Sequence, residues 1–391
     1  MRFSAGSGRA GAHGALLWVF VPWCVAVAAP VGAVVDSADS APPRRTANLV
    51  LVTLDGVRVQ ELFGGMDPVI AESRGKRSGI YDPERARRLF WRDTAAERRR
   101  TLLPFFWDTL APQGIVLGDP ATNSRVTLRN PHGFSAPGYM ELLTGRFQPE
   151  VTTNDARRYA HPTVLEAIRD ALHLNPEQVA VFSTWDAIGL FASSAADAVF
   201  VNAGYARVPA ALSNPVMDAL GDYQEHVMAL WEGYRTDMPT FHLALEYLKA
   251  HRPRVLWLAL GETDDWAHAR RYDRLLDCLR LEDDDLRILW ETLQSLPEYR
   301  DRTTLVVTTD HGRGRTPKDW VDHGEGIRGS EEIWIAVIGP DTPDIGLAQG
   351  LPGVHQADVA ATLLDLLGLP ASLLPGETGP PIRLPQRAAD R

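Results

Sequence analysis

The sequence of 391 residues has only two cysteines, Cys24 and Cys278. So few exclude a disulfide-stapled fold and a Cys-rich metal module. It also lacks an excess of basic charge. The 40 Lys and Arg residues stand against 50 Asp and Glu, a formal net charge of −10. A nucleic-acid-binding surface needs a basic face to neutralise phosphates, so none is expected. Past residue 33 no apolar run approaches the ~20 residues that span a bilayer. No internal repeat is present. The 45% of hydrophobic residues, with 23% charged, supply an ordinary globular core.

The N-terminus is the exception. Arg2 and Arg9 precede a nearly apolar run from Ala15 to Ala29, and Val31-Gly32-Ala33 offers small residues for cleavage. The run is interrupted by Pro22 and is short for a membrane anchor, the alternative reading. Residues 1–33 therefore read as a secretory signal peptide. The protein is expected to be periplasmic or secreted, with no membrane span after cleavage. Cys278 then stands alone among Leu275, Leu276, Leu279 and Leu286, where it reads as core packing. Residues 34–46 read as a flexible linker and 47–391 as one domain.

Within that domain, continuous apolar runs rich in β-branched residues occupy 48–54, 179–182, 198–201, 255–260, 304–308 and 333–338. Such runs fit strands buried on both faces. Helical patterns lie between and after them, at 162–172, 215–232, 240–250, 272–296 and 357–367. The alternation predicts an α/β fold with a mostly parallel sheet, whose sites form at the carboxyl ends of strands. Residues 74–100 are rich in Lys and Arg and read as a solvated surface insertion, with an anion-attracting patch as the other reading. Glu282-Asp-Asp-Asp285 likewise reads as a solvated helix segment.

Three strand ends carry residues of the metal-ligand type: Leu54-Asp55-Gly56, Asp264 through His268, and Asp310-His311-Gly312. Asp264 and His268 share a face if helical. His323 follows His311 after a loop rich in Gly, Arg and Pro. Carboxylates and imidazoles converging from separate strand ends are what two divalent cations require. A nucleophile is offered by Ser135, in His132-Gly-Phe-Ser135-Ala-Pro137. Pro137 suits a first helical turn, which places Ser135 at a helix N-terminus. There the dipole favours an alkoxide or a bound phosphate, although Ser135 could also cap the helix.

These motifs resemble the alkaline phosphatase superfamily of two-metal enzymes, over most of the chain from Asn48 to about Leu369. The resemblance implies a three-layer α/β/α sandwich with insertions around 57–130 and 146–253. It implies one metal held by Asp55, Asp310, His311 and the nucleophile Ser135, and another held by Asp264, His268 and His323. His355 is the alternative to His323, and Asp265 to Asp264. Ser135 lies nine residues before the Thr144-Gly145 pair, the phosphodiesterase-like spacing. Asn154 matches the residue that holds a phosphoryl oxygen in that branch, and Arg125 is a further candidate. Mixed carboxylate and imidazole ligation suits two zinc ions, with manganese the alternative. The implied activity is hydrolysis of a small-molecule phosphate ester, monoester or diester, through a phosphoseryl intermediate. A phosphotransferase, mutase or sulfatase of the same superfamily is the enzymatic alternative. A secreted metal-binding protein with a relic site is the other. Tyr139 stands where sulfatases carry an Arg, and the first strand ends in one Asp rather than two; both disfavour sulfatase chemistry. No feature addresses the oligomeric state.

Overall fold

The computed structural model describes residues 44–73, 78–351 and 353–384. The predicted signal peptide and residues 34–43 of the linker lie outside them. The end of that linker is fixed rather than free: the Thr46 N–H and hydroxyl both donate to Asp341 Oδ2 at 2.7 Å. No described helix is long and apolar enough to cross a membrane.

The strands in chain order are β1 (Asn48–Leu54), β2 (Ile115–Leu117), β3 (Val126–Thr127), β4 (Val179–Ser183), β5 (Phe200–Ala203), β6 (Val255–Leu260), β7 (Thr303–Thr308), β8 (Glu332–Ile333), β9 (Ile335–Ile338), β10 (Gly346–Leu347) and β11 (Val354–His355). Eight form one sheet in the order β10-β2-β9-β7-β1-β6-β4-β5, and β11-β3-β8 form a second. From β7 to β5 the pairing is parallel. β9 runs antiparallel to both its neighbours. All seven residues of β1 are buried, as a run without polar alternation requires. Its side chains alternate between two cores: Val50, Val52 and Leu54 pack on one face, Leu49 and Leu51 on the other. The helices Asp237–His251 and Tyr272–Ser295 cover the first face. Ser135–Thr144, Val164–Ala171 and Asp358–Leu366 cover the second. The result is the expected three-layer α/β/α sandwich.

Four expectations change in detail. The apolar run 333–338 is not one strand. It splits at Trp334, whose indole N–H donates to Val57 O at 3.0 Å while β8 and β9 go to different sheets. The helix expected over 215–232 ends at Gln224, and the chain beyond it lays Tyr234 flat against Trp185, ring centroids 5.7 Å apart. Glu282-Asp-Asp-Asp285 is not a solvated segment: Glu282 and Asp283 are each 1% exposed. Asp283 accepts the N–H groups of Phe105 and Phe106 at 2.8 Å, donors at a helix start that need acceptors. The basic stretch is also less solvated than its composition implies. Arg98 is buried against the carbonyls of Gly64, Arg92 and Asp93, and Arg99 lies 3.8 Å over the Trp107 ring. Residues 74–77 of that stretch lie outside the described residues.

Candidate active site

β1 is flanked by β6 and β7, in parallel register, Leu54 beside Leu260 and Thr53 beside Thr308. The three segments that leave these strands are therefore forced together. The turn after β1 carries Asp55. The Glu262–His268 helix, directly after β6, carries Asp264 and His268. The loop after β7 carries Asp310 and His311. Gly56 makes the first turn possible. Its φ is +63°, and a Cβ there would lie 2.8 Å from both Arg313 Nε and Asp264 Oδ1.

The nucleophile candidate reaches this point from the opposite layer. Ser135 opens the Ser135–Thr144 helix, every residue of which is buried. At Gly138 a Cβ would come within 2.5 Å of Asp310 O, so glycine alone allows the helix to press against the end of β7. Ser135 Oγ then lies 3.3 Å from His311 Nε2. The helix start offers fewer free donors than a generic N-terminus. Pro137 has no N–H, and the Ala136 N–H is taken by Asn154 Oδ1 at 2.9 Å.

The ligand-type residues fall into two groups. His311 Nε2 is 3.4 Å from Asp55 Oδ1 and 3.4 Å from Asp310 Oδ2. His268 Nε2 is 3.2 Å from Asp264 Oδ2 and 2.9 Å from His323 Nε2. The groups touch, since the His311 and His323 rings stack with centroids 4.0 Å apart. Asp264 and His311 share the boundary, Oδ1 to Nε2 at 4.0 Å. Asp55, Asp310 and His311 are buried, whereas Asp264, His268 and His323 are half-buried and form the accessible side.

Residues that burial strips of water should not be left like this without a cation. Asp55 Oδ1 and Asp310 Oδ2 are buried with no hydrogen-bond partner. Burial, then the neighbouring Asp310, pushes the Asp55 carboxyl up to about 8. Burial alone pushes Asp310 up to about 7. Burial holds His268, His311 and His323 below the usual imidazole range, His323 well below, so all three favour the neutral, ligating form. His311 Nδ1 faces Gly312 O at 2.9 Å and His323 Nδ1 faces Gly133 O at 3.3 Å. With the proton on Nδ1, each Nε2 lone pair faces the cluster, as in metal-bound histidine. Two sets of three atoms, Asp55–Asp264–His311 and Asp264–His268–His323, each lie within 4.8 Å of one another. The donor set fits divalent cations.

The other candidates are placed as follows. Asn154 is exposed and reaches the site through Ala136. Arg125 is exposed and pairs with Glu332 at 3.4 Å, at the second sheet. His355 ends β11, with Nδ1 3.0 Å from Thr127 Oγ1, and is absent from both ligand groups. Asp265 is 2% exposed and absent from both ligand groups; burial and then Asp237 push its carboxyl up to about 8. Two residues were missed. Tyr139 OH donates to Asp55 Oδ2 at 3.0 Å. Arg313, 1% exposed, donates to Val321 O and pairs closely with Asp264 Oδ1. Arg313 lies two residues past His311, in what the sequence presents only as a Gly/Arg/Pro-rich loop.

No protein-family model matches the chain, and no curated protein does. Solved structures do. A quadruple mutant of the alkaline phosphatase PafA aligns at TM-score 0.55 and 10% identity, over 88% of this chain and 99% of that one. Inactive murine ectonucleotide pyrophosphatase/phosphodiesterase 5, in complex with AMP, aligns at 0.51 and 13%, over 85% and 97%. BT4656, in complex with its substrate D-glucosamine-2-N,6-O-disulfate, aligns at 0.51 and 12%, over 87% and 82%. The chain thus has the fold of the alkaline phosphatase superfamily, in agreement with the resemblance carried by its motifs.

Proposed function

We propose that the protein is an exported hydrolase of phosphate esters that works with two divalent cations and a serine nucleophile. The observation that carries this is the position of Ser135. Its hydroxyl, on a buried helix start, meets His311, which stands at the junction of two ligand groups. A hydroxyl serving only as a helix cap would have no need of that company, and Ser135 makes no capping hydrogen bond: the helix is capped from Phe134 without a side chain.

Asp55, Asp310 and His311 would hold one cation and Asp264, His268 and His323 the other, zinc being the best match to mixed O and N ligands. Bound there, the cations would lower the hydroxyl pKa and offset charge on the reacting phosphoryl group. Ser135 Oγ would attack phosphorus opposite the leaving group, which departs as the alcohol with the serine's proton; water then cleaves the phosphoserine bond, releasing phosphate from a monoester or a phosphate monoester from a diester, and restores the serine hydroxyl. His311 orients the hydroxyl. Tyr139 fixes one Asp55 oxygen and leaves the other for the cation. Asn154 is turned toward the helix start by Ala136, so its amide –NH2 is the end placed to hold a phosphoryl oxygen. The phosphatase and phosphodiesterase structures of the same fold support the class of reaction. The small-molecule substrate is approached from the half-buried His268–His323 side.

The test is turnover of a nitrophenyl phosphate monoester and the matching diester by zinc-loaded protein, with Ser135→Ala as control. Loss of at least about 10³-fold is expected in the variant with metal content retained. Activity surviving in Ser135→Ala would overturn the mechanism, and the monoester-to-diester ratio assigns the ester class.

A further inference from the structure

Arg313 brings a positive charge into the ligand cluster before any metal arrives. Its side chain is anchored at one end by Nη1 to Val321 O at 2.7 Å, in the loop that leads to His323. Nη2 bonds the Asp264 backbone carbonyl at 3.3 Å and makes a close ion pair with Asp264 Oδ1. The guanidinium has no solvent exposure, and the Gly56 turn is shaped around it. Asp264 therefore presents its two oxygens differently. Oδ2 faces His268, whereas Oδ1 is claimed by a buried cation. The opposite group feels Arg313 only through space, at Asp55, and is not paired with it: Asp55 Oδ1 and Asp310 Oδ2 have no hydrogen-bond partner.

We propose that Arg313 is a resident counter-charge on Asp264 that makes the two cation positions unequal. This rests on the reading that these residues hold divalent cations. The Asp55–Asp310–His311 position fills first and tightly. The Asp264–His268–His323 position fills second and weakly, because a metal there must share Asp264 with a guanidinium that cannot move into water, and like charges repel at short range in a medium of low dielectric. Arg313 also limits Asp264 to one ligating oxygen, which leaves that position with a small donor set and room for a substrate oxygen.

The experiment is titration of metal-free full-length protein with Co²⁺, followed by absorption and by calorimetry without substrate. Wild type should show two dissociation constants at least about tenfold apart. Arg313→Met should tighten the weaker constant about tenfold or more and leave the tighter one within about threefold. Arg313→Lys, which keeps the charge without the fork that reaches Val321 and Asp264 together, should fall between them. Equal constants in wild type overturn the proposal. So does a weaker constant that is unchanged or further weakened in Arg313→Met. The tight position is the internal check on folding. If Arg313→Met loses it, Arg313→Lys decides, and a Lys variant identical to wild type counts against the proposal. No ester is present, so failure of the phosphate-ester reading, seen as turnover without Ser135, is a separate result.

Discussion

Two clusters of buried and half-buried acids lie near each other in this molecule, and only one reads as a site. The first is the group of Asp55, Asp264 and Asp310 with three histidines. The second joins Asp237, Glu262 and Glu282 with Cys278. By residue type the second also qualifies, since Asp237, Cys278 and Glu282 bring ligand-type atoms within 4.8 Å of one another. The difference lies in what the oxygens already hold. Asp237 Oδ1 accepts the Gly261 N–H at 2.9 Å and the Thr184 hydroxyl; Oδ2 accepts the Glu262 N–H at 3.0 Å. In return the Asp237 N–H donates to Glu262 Oε2 at 2.7 Å, so two helix starts cap each other. The Asp237 charge is relayed through Thr184 and Thr240 to the buried Arg235, whose Nε donates to Thr240 Oγ1 at 2.8 Å. Glu282 Oε2 has no hydrogen-bond partner, but it belongs to a carboxyl that burial, and then Asp237, push well up into its neutral form. The Cys278 thiol, also pushed up by burial, donates weakly to Glu282 Oε1 at 3.7 Å. This cluster is balanced by a proton and an arginine. The first has an arginine on Asp264 only; Asp55 Oδ1 and Asp310 Oδ2 have no hydrogen-bond partner, and its neutral imidazoles have lone pairs to give. Partner accounting, more than acid density, separates scaffold from site.

The sharpest way to break this comparison removes one charge from each cluster without changing shape. Asp310→Asn should abolish tight metal binding and lower turnover by about 10³-fold or more. Asp237→Asn should leave metal affinity within a few-fold and cost about 1–3 kcal/mol of stability, through one acceptor lost at the helix starts. Metal titration and urea unfolding on both variants give the answer. If Asp237→Asn loses metal as Asp310→Asn does, the second cluster is part of the site and the distinction fails.

Much of the first cluster was legible without coordinates, and most of the second was not. Asp55, Asp310 and His311 follow strands whose unbroken apolar runs announce a parallel sheet, and such a sheet must bring adjacent carboxyl ends together. Asp264 and His268 are spaced for one helix face. Which histidine joins them was not settled by spacing, because a loop of 11 residues between His311 and His323 could have gone elsewhere. The fold closes it with Gly314 N–H to Asp322 O at 3.1 Å. Glu282 and Asp283 looked solvated because acids in a helix usually are. Only tertiary structure shows the unsatisfied N–H groups of Phe105 and Phe106 that draw Asp283 inward, and the Asp237 carboxylate beside Glu282. Arg313 escaped notice for the same reason, since an arginine two residues past a histidine has no periodicity to betray burial.

A smaller effect separates proton from cation in the second cluster. Glu282→Gln replaces a neutral acid with a neutral amide of nearly equal volume, so unfolding free energy should change by less than about 1 kcal/mol. Glu282→Ala opens a cavity and leaves Asp237 without its neighbour, at a cost of about 2–3 kcal/mol. If the two variants are equally damaging, Glu282 is charged in the folded protein and the cluster must hold a cation.

The least effect expected is in pH dependence, and its sign is fixed by the same burial. The Asp285 carboxyl, one step along the helix from the second cluster, is pushed up to about 7 by burial and then by Asp237 and Asp284. An unfolded aspartate releases its proton near pH ~4. Between those values the folded chain binds more protons than the unfolded one, so stability falls as pH rises through that window. Asp285→Asn removes this contribution. At pH 4 to 5 the variant should match wild type, and by pH 8 it should be more stable by on the order of 1 kcal/mol, read from urea unfolding at each pH with chelator present. The chelator leaves the first cluster titrating identically in both proteins, so the difference reports Asp285 alone. A variant that is less stable than wild type at pH 8 would mean that the Asp285 carboxylate is satisfied when charged, and that the acids near the site are held by attraction rather than by protons.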